Sequence, residues 1–313
     1  MINQGTTMPM VRQLCLVLVL SLTSLPLAAQ EEWPVLTGPY LGQEPPGMTP
    51  TVFAPGLISL PEERELNAVY SPNGRIFMFS RSIDRTFKMF FSYRREDGTW
   101  QEPRMAAPSK TYPNHSDVDM AFTPDGSWVY FISDRPLSGY SLERHNIWRS
   151  RVTGHGLVTP EPLGAHINGP GHELYPLLVA DGSLYFSAER DDSIGGRDSY
   201  RAQYQDGKFE TPVNLGPGIN SPSNEGDIFV SPDETYIIHV SADRPDSLGG
   251  SDLYISFRED NGSWGQGIHM GENINSSEAD YCPMVTPDGK YFYFTQGEEI
   301  MWVDSGIIDT YRE

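Results

Sequence analysis

The chain has 313 residues and a formal charge of −20 at pH 7, from 22 Lys and Arg against 42 Asp and Glu. This length allows one large β domain or two ordinary ones. The densest basic dipeptide, Arg94–Arg95, is followed at once by Glu96 and Asp97. Phosphate backbones would be repelled, so we predict no nucleic-acid binding and keep cations, neutral sugars and proteins as candidate partners.

The first element is a predicted secretory signal peptide, residues 1–29. Arg12 precedes an apolar run over residues 14–27, and the segment ends in small residues at Ala29. This run is too short to span a bilayer comfortably and resembles a cleavage site at its end. After cleavage, Cys282 would be the only thiol, so no intramolecular disulfide is expected. We predict an exported protein, periplasmic or extracellular, with no integral membrane segment.

Residues 30–50 form a lead-in, and residues 51–313 are predicted to be a single repeat domain. One turn phrase recurs in five copies: YSPNG (70–74), FTPDG (122–126), LVADG (178–182), VSPDE (230–234) and VTPDG (285–289). The copies are 52, 56, 52 and 55 residues apart. A repeat of this size indicates a solenoid or a propeller.

The phrase has the chemistry of a type I β-turn. Ser or Thr comes first, Pro fixes φ at the second position, Asp or Asn suits the third, and Gly follows. Each turn leads into a strand rich in β-branched and aromatic residues: RIFMFS, SWVYFIS, SLYFSA, TYIIHVS or KYFYFT. Two further short segments complete each copy, so about 54 residues hold four strands without a helix.

The ends of the repeat region complement each other. The last copy stops near Ile307, after its third strand, whereas residues 53–65 resemble residues 214–226, which supply a fourth strand elsewhere. We therefore predict an all-β, five-bladed β-propeller of four-stranded antiparallel blades. An N-terminal strand would close its last blade and leave no unpaired ring edge.

The [ST]-P-[DN]-G turn, the S-[AD]-[DE]-R step after the second strand and the D-L-Y third strand together resemble the TolB-type repeat, the "PD" relative of WD repeats. The resemblance extends over nearly all of the mature chain and implies a propeller fold. TolB also has an N-terminal α/β domain and a propeller usually described as six-bladed. The five copies here match neither feature, so TolB's own role is not carried over.

An acid stands seven residues before the turn proline position in every copy. These acids are Glu65, Asp117, Glu173, Glu225 and Asp280. Symmetry should place all five around one mouth of the central channel. They could accept backbone N–H groups or pair with arginines such as Arg135, Arg190 and Arg244. Alternatively, they could bind a ligand or capture Ca²⁺, a cation that takes six to eight oxygen ligands.

Two histidines break the symmetry of the repeat. His115 lies two positions before Asp117 of the second copy, and His172 lies one position before Glu173 of the third. With Asp117 and Glu173 they are candidate catalytic acids and bases. Asp117, His172, Glu173 and Glu225 are likewise candidate metal ligands, with Ca²⁺ as a candidate cofactor. Ordinary solvated loop histidines remain the alternative.

Tyrosines near the predicted mouth could stack on sugar rings: Tyr112, Tyr140, Tyr175 and Tyr281. The preferred hypothesis is a non-catalytic binding or scaffolding module for a protein or glycan at the cell envelope, predicted to be a monomer. The alternative is a polysaccharide-active enzyme, a glycoside hydrolase or lyase, with its site at the channel mouth. A glycoside hydrolase uses two carboxyl groups whose environments must differ so that their pKa values differ. The five repeated acids, by contrast, are nearly equivalent in sequence.

Overall fold

The computed structural model describes residues 1–2, 5, 33–137, 144–154 and 156–312. The chain divides into two units, Met1–Pro34 and Val35–Glu313, and all the strands lie in the second. Most of the predicted signal peptide and Tyr140 lie outside the described residues. Within the described ranges, no helix is both long enough and apolar enough to cross a membrane.

A short strand, β1 (Thr51–Val52), comes first and belongs to the last of five antiparallel blades; one separate two-stranded hairpin is also present. Blade 1 contains β2 (Glu65–Tyr70), β3 (Ile76–Ile83), β4 (Thr86–Tyr93) and β5 (Arg104–Met105). Blade 2 contains β6 (Asp117–Phe122), β7 (Trp128–Ser133), β8 (Asn146–Thr153), the two-residue β9 (Gly156–Leu157) and the outermost β10 (Glu161–Pro162).

The remaining blades repeat this order from the inside outwards. Blade 3 contains β11 (Glu173–Leu178), β12 (Leu184–Ala188), β13 (Asp198–Ala202) and β16 (Val213–Asn214), with a separate hairpin of β14 (Tyr204–Gln205) and β15 (Lys208–Phe209). Blade 4 contains β17 (Asn224–Val230), β18 (Tyr236–Ala242), β19 (Ser251–Phe257) and β20 (Ile268–His269). Blade 5 contains β21 (Asp280–Val285), β22 (Tyr291–Gln296) and β23 (Glu299–Asp304).

Three short helices lie outside the sheets: α1 (Ala107–Thr111) and the 3₁₀ segments Tyr40–Gly42 and Ser305–Tyr311. The innermost strands contact one another in a closed cycle, β2 with β6, β6 with β11, β11 with β17, β17 with β21, and β21 with β2. The molecule is therefore a five-bladed β-propeller, as the repeat spacing predicts.

The turn phrase works as its residue types predict. In blade 2, the Thr123 hydroxyl accepts the N–H of Trp128 at 3.0 Å, and Gly126 has φ +70°. Blade 4 has Glu234 at the glycine position, with φ +54°. This glutamate links two blades, because its carboxylate accepts from the Tyr185 hydroxyl and from Arg201 Nε of blade 3.

The ring closes where β1 pairs antiparallel with β23. Thr51 stands opposite Trp302 and Val52 opposite Met301, and Phe53 N–H donates to the Ile300 carbonyl at 2.8 Å. The predicted N-terminal closure is confirmed, although the strand ends just before the segment 53–65 in which we expected it. The Phe53 ring is fully buried among the rings of blades 1 and 5.

The lead-in crosses the same seam a second time, over residues 36–47. Trp100 of blade 1 donates its backbone N–H to Leu36 O at 2.9 Å and its Nε1–H to Gly38 O at 2.7 Å. Asp304 N–H of blade 5 donates to Gly47 O at 3.0 Å. The lead-in thus connects the two blades that β1 also joins.

Candidate functional site

The five repeated acids lie where the innermost strands begin, at one end of the central channel, which we call the mouth. All five are fully buried, with 0 % of their surface exposed. Glu65 accepts from Arg81 Nε at 2.6 Å, and Asp117 accepts from Arg135 and, at 2.8 Å, from the Ser109 hydroxyl of α1. In blades 1 and 2 the acid is therefore neutralised by an arginine.

In blades 3 to 5 the acid instead binds the loop that leads into its own strand. Glu173 Oε1 accepts Gly169 N–H at 2.8 Å, whereas its Oε2 has no hydrogen-bond partner among the described residues. Glu225 accepts both the N–H and the hydroxyl of Ser221, at 3.1 and 2.7 Å. Asp280 accepts Ser276 N–H at 2.6 Å. Each carboxylate fixes the loop through which the chain enters its blade.

The arginines after the second strands take different partners. Arg135 alone of the three predicted ones forms a salt bridge with its repeated acid. Arg190 Nη2 donates to Ile167 O at 2.6 Å, and Arg244 Nε lies 3.4 Å from Asp246. Within the described structure, the repeated acid thus pairs with an arginine only in two of the five blades: with Arg135 in blade 2 and with Arg81 in blade 1.

Burial raises the pKa of all five acids, against the opposing effect of their hydrogen bonds and neighbouring cations. For Glu173, burial raises the pKa to about 7. Since none of these carboxyl groups has exposed surface, a bound molecule would have to displace loop residues to reach them. Ligand binding by the five acids remains a prediction.

The two symmetry-breaking histidines belong to a row of four side chains along the mouth. His115 Nδ1 lies 3.2 Å from Asp134 Oδ1, and His172 Nδ1 accepts the N–H of His145 at 3.2 Å. The rings of His145 and His172 are 5.5 Å apart. Burial lowers the pKa of His145, while the nearby charge of Asp134 opposes that effect.

Within this row, no hydrogen bond or ring contact in the described structure joins His115 directly to His172. Neither Asp134 nor His145 was a predicted site residue, because Asp134 belongs to the repeated step after the second strand and His145 to the variable connection that follows it. In the part of the chain that the structure describes, no group of three or more His, Cys, Asp or Glu residues is placed to hold a metal ion. Calcium binding stays a prediction.

The predicted tyrosines differ in exposure. Tyr112 is 39 % exposed, and the Arg135 guanidinium lies 4.4 Å from the centre of its ring. Tyr175 is 1 % exposed inside the channel, where its hydroxyl donates to Pro283 O at 2.9 Å. Tyr281 is half-buried, and its hydroxyl donates to Gly297 O at 2.9 Å. Burial raises its pKa to about 12.

One exposed assembly at the mouth was not foreseen, and we call it the Arg64 platform: Arg64, Phe87 and Tyr281. The Arg64 guanidinium lies 5.2 Å from the centre of the half-buried Phe87 ring. Its Nη2 lies 3.3 Å from the Tyr281 hydroxyl. A planar cation stacked on a ring and tied to a second aromatic residue is characteristic of recognition surfaces. Its signal in the sequence is only that blade 1 has Arg64 where blade 3 has His172.

Below the mouth, one residue from each blade lines the channel, two positions after the repeated acid: Asn67, Asp119, Tyr175, Asp227 and Cys282. All but Asp227 have left-handed backbone angles, with φ between +48° and +59°. The inner strands bulge at these positions, and the bulges turn the residues across the channel: Asn67 Oδ1 accepts Met120 N–H at 2.7 Å, and Asp227 Oδ2 accepts Cys282 N–H at 2.9 Å. The channel ring thus hydrogen-bonds blade 1 to blade 2 and blade 4 to blade 5.

Comparison with known proteins gives structural similarities only. No known family model and no curated protein sequence matches the chain. Among solved structures, TolB from Acinetobacter baumannii is similar with 14 % identity and a TM-score of 0.47, over 77 % of this chain and 54 % of that one. The chain thus spans about half the length of that protein.

Two further structures have similar scores. A putative TolB from Agrobacterium tumefaciens has 17 % identity and a TM-score of 0.48, over 76 % of this chain and 71 % of that one. XC5397 from Xanthomonas campestris, described as a gluconolactonase, has 10 % identity and a TM-score of 0.45, over 86 % of this chain and 97 % of that one. The solved structures similar to this propeller therefore include TolB proteins and a gluconolactonase, and none of these similarities carries an argument about function.

Proposed function

We propose that the protein is an exported, non-catalytic binding or scaffolding module, which holds a protein or a glycan of the cell envelope at the mouth of its propeller. Export rests on the signal-peptide pattern of residues 1–29. The ligand site rests on the Arg64 platform, which is the single observation that carries the proposal. This assembly presents an exposed guanidinium and half-buried aromatic rings beside the channel.

The burial of the carboxyl groups supports binding rather than catalysis. A general acid or base must come within hydrogen-bond distance of the reacting group, and the five acids have no exposed surface. Two observations favour the alternative, a polysaccharide-active enzyme: the raised pKa of Glu173, about 7, and the His115–Asp134 pair. Glu173 is buried, whereas the side chains of His115 and Asp134 are 24 % and 29 % exposed.

The test is a binding screen with the mature chain against polysaccharides and solubilised envelope proteins, each with Ca²⁺ and with EDTA. We expect at least one ligand to bind without being converted. Arg64→Ala should weaken that binding by about tenfold, because it removes a charged donor and a stacked contact. Affinity is measured by calorimetry, and polysaccharide products by chromatography.

The matched control is Arg104→Ala. Arg104 is also exposed and stacked on a phenylalanine of blade 1, with its guanidinium 5.0 Å from the Phe91 ring, but lies on the outermost strand. Equal losses in both variants would exclude the mouth as the site. Turnover of a polysaccharide that stops in His115→Ala would replace the binding hypothesis with the enzymatic one. Loss of binding in EDTA alone would assign a role to Ca²⁺.

A further inference from the structure

A cavity of about 240 Å³ opens at the end of the propeller opposite the mouth. It lies on the seam between blades 1 and 5, where the turn of residues 70–74 faces the turn of residues 285–289. The lead-in forms its third wall through Tyr40. The cavity therefore exists where the lead-in crosses the junction at which the ring closes.

The lead-in wall is held in place by several contacts. The Tyr40 hydroxyl donates to Asp288 Oδ2 at 2.5 Å, and its ring packs 4.8 Å from Tyr291 and 5.6 Å from Tyr70, measured between ring centres. Tyr40 and the fully buried Leu41 both have left-handed backbone angles, with φ +51° and +54°. Non-glycine residues adopt this conformation at an energetic cost, so packing must hold the wall in this shape.

The walls combine apolar surfaces with a few polar groups. Three prolines and the rings of Tyr40 and Tyr70 supply the apolar surface, and Asn73, Arg94, Thr286 and Asp288 supply donors and acceptors. Such a mixture, mainly carbon with a small number of placed polar groups, is typical of small-molecule sites. The Tyr70 hydroxyl is buried and points away from the solvent, so Tyr70 offers the cavity the side of its ring.

The cavity offers charged hydrogen-bonding groups of both signs. Arg94 forms no ion pair within the described residues, and its guanidinium stacks 5.7 Å from the ring of Trp100. Asp288 stands on the blade 5 side, paired with Lys290 at 3.1 Å. A hydroxyl-rich neutral molecule can donate to the carboxylate and accept from the guanidinium.

The size of the cavity sets the size of the ligand. Sites for drug-sized ligands begin at about 300 Å³, so 240 Å³ suits a single ring. We propose that this seam cavity binds one neutral sugar ring, with Arg94 and Asp288 as its polar contacts and the tyrosine and proline surfaces against its C–H faces. This site is separate from the mouth and does not depend on the ligand proposed there.

The test is a titration of the mature chain with glucose, galactose, mannose and N-acetylglucosamine, followed by saturation-transfer NMR and by tryptophan fluorescence. Fluorescence is informative because Arg94 stacks on Trp100 and Tyr40 packs against Trp302. We expect one or more of these sugars to bind. Arg94→Ala and Asp288→Asn should each weaken binding about tenfold, because each removes a charged hydrogen-bond partner. Asparagine is compatible with the turn, since blade 1 has Asn73 at the same position.

The repeat supplies matched controls for both variants. Arg258 stacks on Trp264 in blade 4 as Arg94 does on Trp100, and Asp125 occupies the same turn position in blade 2. Arg258→Ala and Asp125→Asn should leave the affinity unchanged. The proposal is overturned if none of the four sugars binds, if the control variants weaken binding equally, or if Arg64→Ala at the mouth abolishes it.

Discussion

Glu173 is the repeated acid with the least support from its surroundings. One carboxylate oxygen accepts a backbone N–H, the other has no hydrogen-bond partner among the described residues, and no salt bridge forms with Arg190. Burial raises its pKa to about 7 from an ordinary value of 4.5. The folded state therefore binds the Glu173 proton more tightly than the unfolded state does. The protonated Glu173 contributes to stability below pH 4.5, and this contribution is lost as the pH rises through 7.

We predict that Glu173→Gln reduces the fall in stability between pH 5 and pH 8. The shift in pKa corresponds to roughly 3 kcal/mol at the high-pH end, and glutamine can still accept Gly169 N–H. The measurement is the free energy of unfolding in urea at several pH values. Glu225→Gln is the comparison: burial also raises the pKa of Glu225, but three hydrogen-bond donors oppose this, so Glu225→Gln should reduce the fall in stability less. Parallel curves for the wild type and Glu173→Gln would contradict the prediction.

The sequence located the repeated acids and one of their partners, Arg135, but not the others. The spacing from the turn fixed their place at the start of each inner strand. The partners come from segments of unequal length, such as Ser109 in α1, Ser221 before β17 and Gln296 at the end of β22. The Arg64 platform depends on Phe87 and Tyr281 of two different blades meeting. No local pattern encodes that contact.

Among the elements, the loops between the second and third strands of blades 3 and 4 show how neighbouring blades pack. The motifs DSIGG and DSLGG are followed by Asp198 and Asp252, each of which accepts two backbone N–H groups of its own loop. A Cβ atom on Gly195 would lie 2.1 Å from Ser223 O, and one on Gly249 would lie 1.8 Å from Glu278 O. These loops therefore turn the chain and approach the backbone of the next blade.

We predict that Gly249→Ala destabilises the protein by about 2 kcal/mol or more, because the added methyl group overlaps a backbone oxygen of blade 5. Gly250→Ala is an adjacent control, since a Cβ atom there meets nothing within 4 Å. The measurement is the midpoint of thermal unfolding for both variants. An equal fall in the thermal midpoint of both variants would show that the close approach between blades 4 and 5 is absent.

Strand positions could be predicted well because turn chemistry recurs at nearly constant intervals. The outermost strands were harder: the expected segments 212–216 and 267–271 contain only two-residue strands, β16 and β20. They lie at the outer edge of each sheet, where few contacts extend the pairing. The bulges that form the channel ring were not predicted either, since left-handed angles at Tyr175 and Cys282 run against the preference of these residue types.

In the propeller as a whole, the first strand and the last strand meet in one seam. β1 pairs with β23, the lead-in joins blade 1 to blade 5, and the seam cavity lies beneath it. Closure was predictable because the last copy lacks a fourth strand and the N-terminal region carries a spare one. The path of the lead-in was not predictable, because residues 36–47 match no repeated pattern. It is set by side-chain contacts of Tyr40 and Trp100.

The most direct test of this ring is a disulfide across its closure. Val52 stands opposite Met301 in the β1–β23 pair, and the native Cys282 is buried and unpaired. The variant Val52→Cys/Met301→Cys should form an intramolecular disulfide on mild oxidation of the folded protein, mapped by mass spectrometry, and should raise the thermal midpoint. The register control Val52→Cys/Glu299→Cys should not cross-link. Failure of the first pair, or equal cross-linking of the second, would contradict a five-bladed ring closed by the N-terminal strand.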